Sequence, residues 1–277
     1  MQYFQPSTIK EYFKLVQSMS DFALLTGGTD LMPRYEQENF LPEHLVDLKN
    51  IGELKGISEK KDTIEIGTIT TIREIESSPL IRTEFPALYQ STLDFAGVQI
   101  RNRATIGGNI CNASPAGDLL PSLYVMNAKL KLVNTKSERL IPIKNFITGP
   151  GKTNIKSDEI LYSIEIPKHN LKSLFFKIGL RQAMAVAVVN LAIVYDWNSS
   201  LRKFNKLNIA AGAVAPTIVY LEKFINTFKK SNWSVEEALA AVTEDISPID
   251  DIRSTAKYRT MVLSNVLRYE LNKIMRD

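Results

Sequence analysis

The chain has 277 residues, 44% hydrophobic and 23% charged, with a formal charge of +4 spread over 34 basic and 30 acidic side chains. That balance suits a soluble protein with a sizeable core and excludes disordered and collagen-like classes. Lys60-Lys61 and Lys229-Lys230 are its densest basic spots, which is a solvated surface rather than a nucleic-acid stripe.

The first element is a helix. Thr8 and Glu11 have capping-box spacing ahead of Ile9, Tyr12, Phe13, Val16 and Met19, which recur at helical period. A short apolar strand over 22–25 stops at Gly27-Gly28, and 45–48 is a second strand. Residues 57–58 and 63–66 form a hairpin, in which Ile64 and Ile66 alternate with Thr63 and Glu65. A helix over 85–95 leads to a second Gly-Gly at 107–108, and 115–126 has the start and apolar content of another helix. Strands at 129–133 and 139–143 bracket a polar turn, and 160–166 is a further strand. After a polar break at 167–172 come three long strands, 174–180, 186–197 and 204–212. Helices close the chain. One is capped by Ser234 and Glu237, and another is expected to pack Tyr258, Met261, Val262, Val266 and Tyr269 on one side. Strands and helices do not alternate strictly, so the class is α+β, with a boundary near 171.

Scarce residues narrow the chemistry. No apolar run approaches the ~20 residues that span a bilayer, and residues 1–6 open polar with no signal-peptide core, so the expected setting is cytoplasmic, without membrane or nucleic-acid partners. Cys111 is the only cysteine, and His44 and His169 are the only histidines. An iron–sulfur cluster needs about four thiolates, so the chain holds none of its own, and no metal site is expected. A Ser-His-Asp triad is equally implausible, so any enzymatic chemistry belongs to a bound cofactor and no side chain is assigned as catalytic.

Two segments could hold such a group. Leu24-Leu25-Thr26-Gly27-Gly28-Thr29-Asp30-Leu31 runs from a strand into a helix. Glycines allow close backbone approach, and successive N–H groups ahead of a helix can cradle an anion. Thr105-Ile106-Gly107-Gly108-Asn109 repeats the device, with Asn112, Ser114 and Asp118 offering further polar groups. The alternative is two plain turns. The absence of Gly-x-Gly-x-x-Gly and of Gly-Lys-Ser/Thr argues against a Rossmann site and a P-loop.

These same motifs, with Gln99-Ile100-Arg101-Asn102, Thr148-Gly149-Pro150-Gly151-Lys152, Gly212-Ala213-Val214-Ala215-Pro216 and Tyr258-Arg259, resemble the FAD-binding medium subunits of molybdenum hydroxylases over nearly the whole chain. The family includes xanthine, aldehyde and carbon monoxide dehydrogenases, and segment 97–112 is most similar to bacterial xanthine dehydrogenase FAD subunits. The resemblance implies a two-subdomain FAD-binding fold of the vanillyl-alcohol-oxidase (PCMH) type over 1–171, split near 55. It implies a C-terminal domain over 172–277 with a three-stranded antiparallel sheet and helices. It also implies non-covalent FAD, wrapped by the first loop and by Thr105, Gly107, Gly108, Asn109 and Asn112. Asp118 would take a ribose or ribityl hydroxyl, Phe95 would sit near the isoalloxazine, and Ile160 and Leu161 would flank the adenine or flavin edge. Lys177 would reach the flavin from the C-terminal domain. Cys111 is expected to be a small packed side chain. Molybdopterin and [2Fe–2S] clusters would reside on a large and a small partner subunit, with electrons passing through FAD to NAD⁺ or another acceptor. The alternatives are a free-standing FAD oxidoreductase and a cofactor-free scaffold subunit.

Overall fold

The computed structural model describes residues 1–38 and 42–276. The chain begins with β1 (Gln2–Phe4), α1 (Ile9–Val16), β2 (Phe22–Leu25), α2 (Leu31–Glu38) and β3 (His44–Asp47). The strands form a parallel sheet in the order β1-β3-β2. The hydroxyl of Thr8 accepts from the Glu11 N–H at 3.1 Å, as predicted, while the Glu11 carboxylate takes the Ser7 N–H at 2.8 Å. Tyr12 and Phe13 on α1 pack with Val46, Leu48, Ile51, Leu54, Ile69 and Ile160. This small core therefore recruits residues from beyond position 55.

The hairpin β4 (Ile57–Glu59) and β5 (Thr63–Gly67) leads into a helical stretch: α3 (Ile72–Glu76), α4 (Pro79–Glu84), α5 (Pro86–Leu93), α6 (Val98–Arg101), α7 (Ile106–Asn112) and α8 (Leu120–Val125). Then come β6 (Lys129–Val133), β7 (Glu138–Pro142), β8 (Ile147–Gly149), β9 (Lys152–Thr153) and β10 (Ile160–Pro167). An antiparallel sheet runs β4-β5-β10-β6-β7. Its apolar face, with Ile64, Ile66 and Ile164, packs on Phe85, Leu88 and Leu123 from the helices. Two expectations change here. The second Gly-Gly segment is itself helical, as α7. The helix expected over 115–126 begins only at Leu120, because Ala113 turns left-handed at φ 48° and the Gly117 N–H closes a tight turn onto the Ser114 carbonyl at 3.0 Å.

The C-terminal part holds β11 (Lys172–Gly179), β12 (Ala187–Asn198) and β13 (Lys203–Gly212), paired antiparallel as predicted and extended at the edge by β14 (Val219–Tyr220). Helices α9 (Glu222–Lys230), α10 (Val235–Ala238), α11 (Val242–Asp245) and α12 (Ala256–Ile274) complete the chain. The sheet is covered on both faces. Phe175, Ala192, Val194 and Ala210 join the core shared with α5 and α8, while Leu191, Ile193 and Ile209 meet Phe224, Phe228, Leu263 and Leu267. Burial on two faces explains the nearly continuous apolar run of β12. On α12 two of the five residues of the predicted stripe are buried. Val262 and Val266 are buried, but Tyr258, Met261 and Tyr269 are exposed, because the buried face also takes Arg259, Leu263, Leu267 and Leu271.

Phe224 is fully buried, so Phe224→Ala should cost roughly 3–5 kcal/mol in denaturant unfolding. Tyr269→Ala, at an exposed site, should change stability by no more than about 0.5 kcal/mol.

Candidate functional site

The first loop leaves β2 at Leu24 and Leu25, turns at Gly28 with φ 72°, and enters α2 at Leu31. A positive φ at position 28 is the left-handed conformation that glycine adopts without strain. Gly27 serves a different purpose. A Cβ there would lie 2.2 Å from the Arg103 carbonyl oxygen, so the first loop crosses the approach to the second at backbone contact. No described residue accepts a hydrogen bond from the backbone N–H groups between Thr26 and Asp30. They form an unpaired row of donors.

The second loop is internally satisfied. Thr105 caps α7, its hydroxyl accepting from the Gly108 N–H at 3.1 Å. The Ile106 and Gly107 N–H groups donate to the carbonyls of Thr70 and Thr68 at 3.0 and 2.9 Å. A Cβ on Gly107 would fall 1.8 Å from the Thr68 hydroxyl oxygen. Here the glycine packs the helix start against the strand exit rather than leaving donors free. Two like motifs therefore do not make two like cradles, because α7 spends its first donors inside the fold.

The loops meet through side chains. The hydroxyls of Thr26 and Thr105 lie 3.0 Å apart, and only one of their two protons can sit between them. Asp30 and Asn112 bond at 3.2 Å, and Arg34 donates to both, at 3.1 Å in each case. Asp30 thus faces the second loop and not the row of N–H groups. Asn109 on α7 has a buried side-chain oxygen with no partner, an orphan acceptor of the kind a bound group would satisfy.

A second polar group lies beyond the 113–117 turn. Asp118, only 7% exposed, takes the Lys177 ammonium at 2.6 Å, and Lys177 also donates to the Asp94 carbonyl oxygen at 2.8 Å. Asn190 on β12 donates to Asp118 at 3.3 Å and to the Gly117 carbonyl oxygen at 3.4 Å. Burial pushes the Asp118 carboxyl up to about 6, against the pull of Lys177 and Asn190 and with a smaller push from Asp94. Lys177 also lines a cavity of about 450 Å³ between residues 93–101 and the 179–185 loop.

Phe95 is half-buried and lies just past α5, its carbonyl held at 3.0 Å by Arg101, which pairs with Glu76 at 2.9 Å. Ile160 and Leu161 open β10 as core residues, in the small and main cores respectively. Cys111, expected to be packed, is exposed on α7. Arg34 and Asn190 were not singled out by sequence. Arg34 sits four residues after Asp30, a readable helical spacing. Asn190 is the one polar residue in the apolar run 187–194 of its strand.

A family model for the FAD binding domain in molybdopterin dehydrogenase matches residues 1–169, and one for the CO dehydrogenase flavoprotein C-terminal domain matches 174–274. The chain belongs to the family of FAD-binding medium subunits of molybdopterin dehydrogenases. The subunit is 30% identical to a putative xanthine dehydrogenase FAD-binding subunit of Escherichia coli over 273 residues, covering 96% of this chain and 93% of that one. It is 28% identical to the carbon monoxide dehydrogenase medium chain of Hydrogenophaga pseudoflava, covering 98% and 96%. Among solved structures, a carbon monoxide dehydrogenase from that organism matches with a TM-score of 0.90 at 28% identity, covering 98% and 96% of the two chains. The subunit's cofactor is FAD, and the residues present suit it: free N–H donors in the first loop, a spare hydroxyl proton at Thr26 and Thr105, and the orphan oxygen of Asn109.

The glycine contacts predict that Gly27→Ala and Gly107→Ala each lose about 1–3 kcal/mol in chemical unfolding, with or without cofactor. Lys177→Met is expected to be pH-sensitive. The folded state raises the Asp118 carboxyl above its unfolded range, so its proton binds more tightly in the fold and stability rises as pH falls through about 6 toward 4. Removing Lys177 widens that gap. The variant should lose roughly 3–5 kcal/mol near pH 8 and recover much of it at pH 5, measured by unfolding at both values.

Proposed function

We propose that the first loop and the start of α7 together hold FAD, and that the subunit relays electrons within a molybdenum hydroxylase of the xanthine dehydrogenase type. The row of N–H groups between Thr26 and Asp30, with no acceptor among the described residues, carries this reading. A diphosphate is the group that such donors suit.

When bound, FAD supplies the redox chemistry. Leu24, Leu25, Thr26, Gly27, Gly28, Thr29, Asp30 and Leu31 supply the backbone that lies along the diphosphate, and Thr26 and Thr105 add one hydroxyl donor. Gly107 and Gly108 let α7 start close to Thr68 and Thr26. Asn109, Asn112 and Asp118 offer acceptors and donors to sugar or ribityl hydroxyls. Phe95, half-buried, supplies apolar wall against a ring, whereas Ile160 and Leu161 keep their side chains inside the cores and offer a ring no exposed surface. Lys177, fixed by Asp118 and the Asp94 carbonyl, places a positive charge at the cavity wall.

The single cysteine cannot hold an iron–sulfur cluster. Electrons then come from the [2Fe–2S] clusters of a small partner subunit, fed by a large molybdenum-cofactor subunit, and leave to NAD⁺ or another acceptor. The Escherichia coli relative, a putative xanthine dehydrogenase subunit, supports xanthine as substrate of the complex, and another purine and a cytoplasmic setting belong to the same proposal. The partition of the chain at 171, with a subdomain divide near 55, belongs to the same proposal.

Titrating the purified chain with FAD should give one FAD per chain, released unmodified on denaturation. Thr26→Val and Asn109→Ala should each weaken binding about five- to tenfold, the worth of one hydrogen bond. Absence of FAD binding, or wild-type affinity in both variants, would overturn the placement. Xanthine should bleach the flavin only when the large and small subunits are present.

A further inference from the structure

Position 190 is where β12 departs from its own pattern. Residues 187–194 read Ala-Val-Val-Asn-Leu-Ala-Ile-Val, all of them buried, and Asn190 is the one polar side chain among them. A leucine there would bury more apolar area without desolvating an amide. The hydrogen bonds that Asn190 makes are long, 3.3 Å to Asp118 and 3.4 Å to the Gly117 carbonyl, and its own oxygen is buried without a partner. As a stability device it is a poor choice. Departures of this kind collect at functional sites.

The strand register shows what the amide is placed to do. Lys177, Asn190 and Gly212 are direct cross-strand partners on β11, β12 and β13, so they form one row across the sheet. The row lies on the face that carries Phe175, Ala192 and Ala210 toward the N-terminal part of the chain. Gly212 keeps the row open. A Cβ there would come within 2.2 Å of the Asn190 side-chain oxygen and 2.9 Å of the Pro115 carbonyl. Lys177 and Asn190 thus grip Asp118 from the same side, one on each carboxylate oxygen.

We propose that Asn190 is a positioning residue of the cofactor site, acting through Asp118 to hold its carboxylate in the orientation in which it accepts from a hydroxyl of FAD. The inference rests on the reading that Asp118 contacts the cofactor. The charged groups that face Asp118 are Lys177 from β11 and Asp94 from the end of α5. Asn190 adds a neutral donor that favours the ionised form, so its loss lets Asp118 protonate at higher pH.

The test is FAD affinity of the full-length subunit from pH 5 to 9, by flavin fluorescence quenching, with the thermal midpoint of the FAD-free protein measured alongside. The wild type should lose affinity as pH falls through about 6. Asn190→Ala and the space-filling Asn190→Leu should bind FAD about tenfold more weakly at pH 7, with the pH midpoint moved up by roughly one unit. The leucine variant keeps the measurement open if the alanine variant does not fold. Asp118→Asn should weaken binding and flatten the profile. If it does so while both Asn190 variants keep the wild-type affinity and pH midpoint, the positioning role is wrong and the Asp118 reading stands. If Asp118→Asn itself binds FAD like the wild type, the underlying reading fails and the inference with it.

Discussion

At the crossing of the two loops the backbone of Gly27 touches the carbonyl of Arg103, and four residues beyond that carbonyl Gly107 is pressed against Thr68. Neither place has room for a Cβ. This close approach sets most of the geometry of the site. It brings the hydroxyls of Thr26 and Thr105 together and puts Asp30 within reach of Asn112, while the N–H groups after β2 have no partner among the described residues. A Cβ on Gly27 would push the first loop off Arg103, and one on Gly107 would push the start of α7 off Thr68. The two Gly-Gly motifs nevertheless do different work. The first turns the chain and frees its donors, while the second lets a helix begin against a strand exit and uses its donors internally.

The other constraint is electrostatic. Asp118 and Lys177 are both nearly inaccessible, and their contact ties the 113–118 turn to the C-terminal sheet. A buried pair of this kind is costly to assemble and costlier to break, because either partner alone is an uncompensated charge. Its worth lies in geometry as much as in stability. With Asn190 and the Asp94 carbonyl it fixes where one carboxylate and one ammonium stand, and both belong to the proposed FAD environment. In that proposal the C-terminal domain contributes to the site through Lys177 and Asn190.

Much of the fold was legible in the sequence because its signals are local. The apolar alternation of 63–66, the three long strands after 171 and the Thr8 cap all act over a few residues, and each appears where its pattern places it. The helices between Thr71 and Asn112 were harder to read. Segments of four to eight residues carry too few apolar repeats to show a period, although Thr71 and Glu74 do form a capping box. On α12 the aromatic residues suggested the wrong face, since Arg259 is buried there, donating to the carbonyls of Val188 and Ala213 and pairing with Asp251.

The sequence by itself determined the α+β class, the two glycine loops as a candidate diphosphate site, and the lack of thiolates for an iron–sulfur cluster of its own. Composition and short motifs suffice for these, since one cysteine and two histidines exclude most alternatives wherever they fall. Only the tertiary structure decided which donors are free, that Asp30 answers Asn112, and that Lys177, Asn190 and Gly212 share one row facing Asp118. Those facts depend on strand register and on contacts between residues tens of positions apart. No local pattern encodes them, because a shift of one residue in pairing would turn each of these side chains to the opposite face.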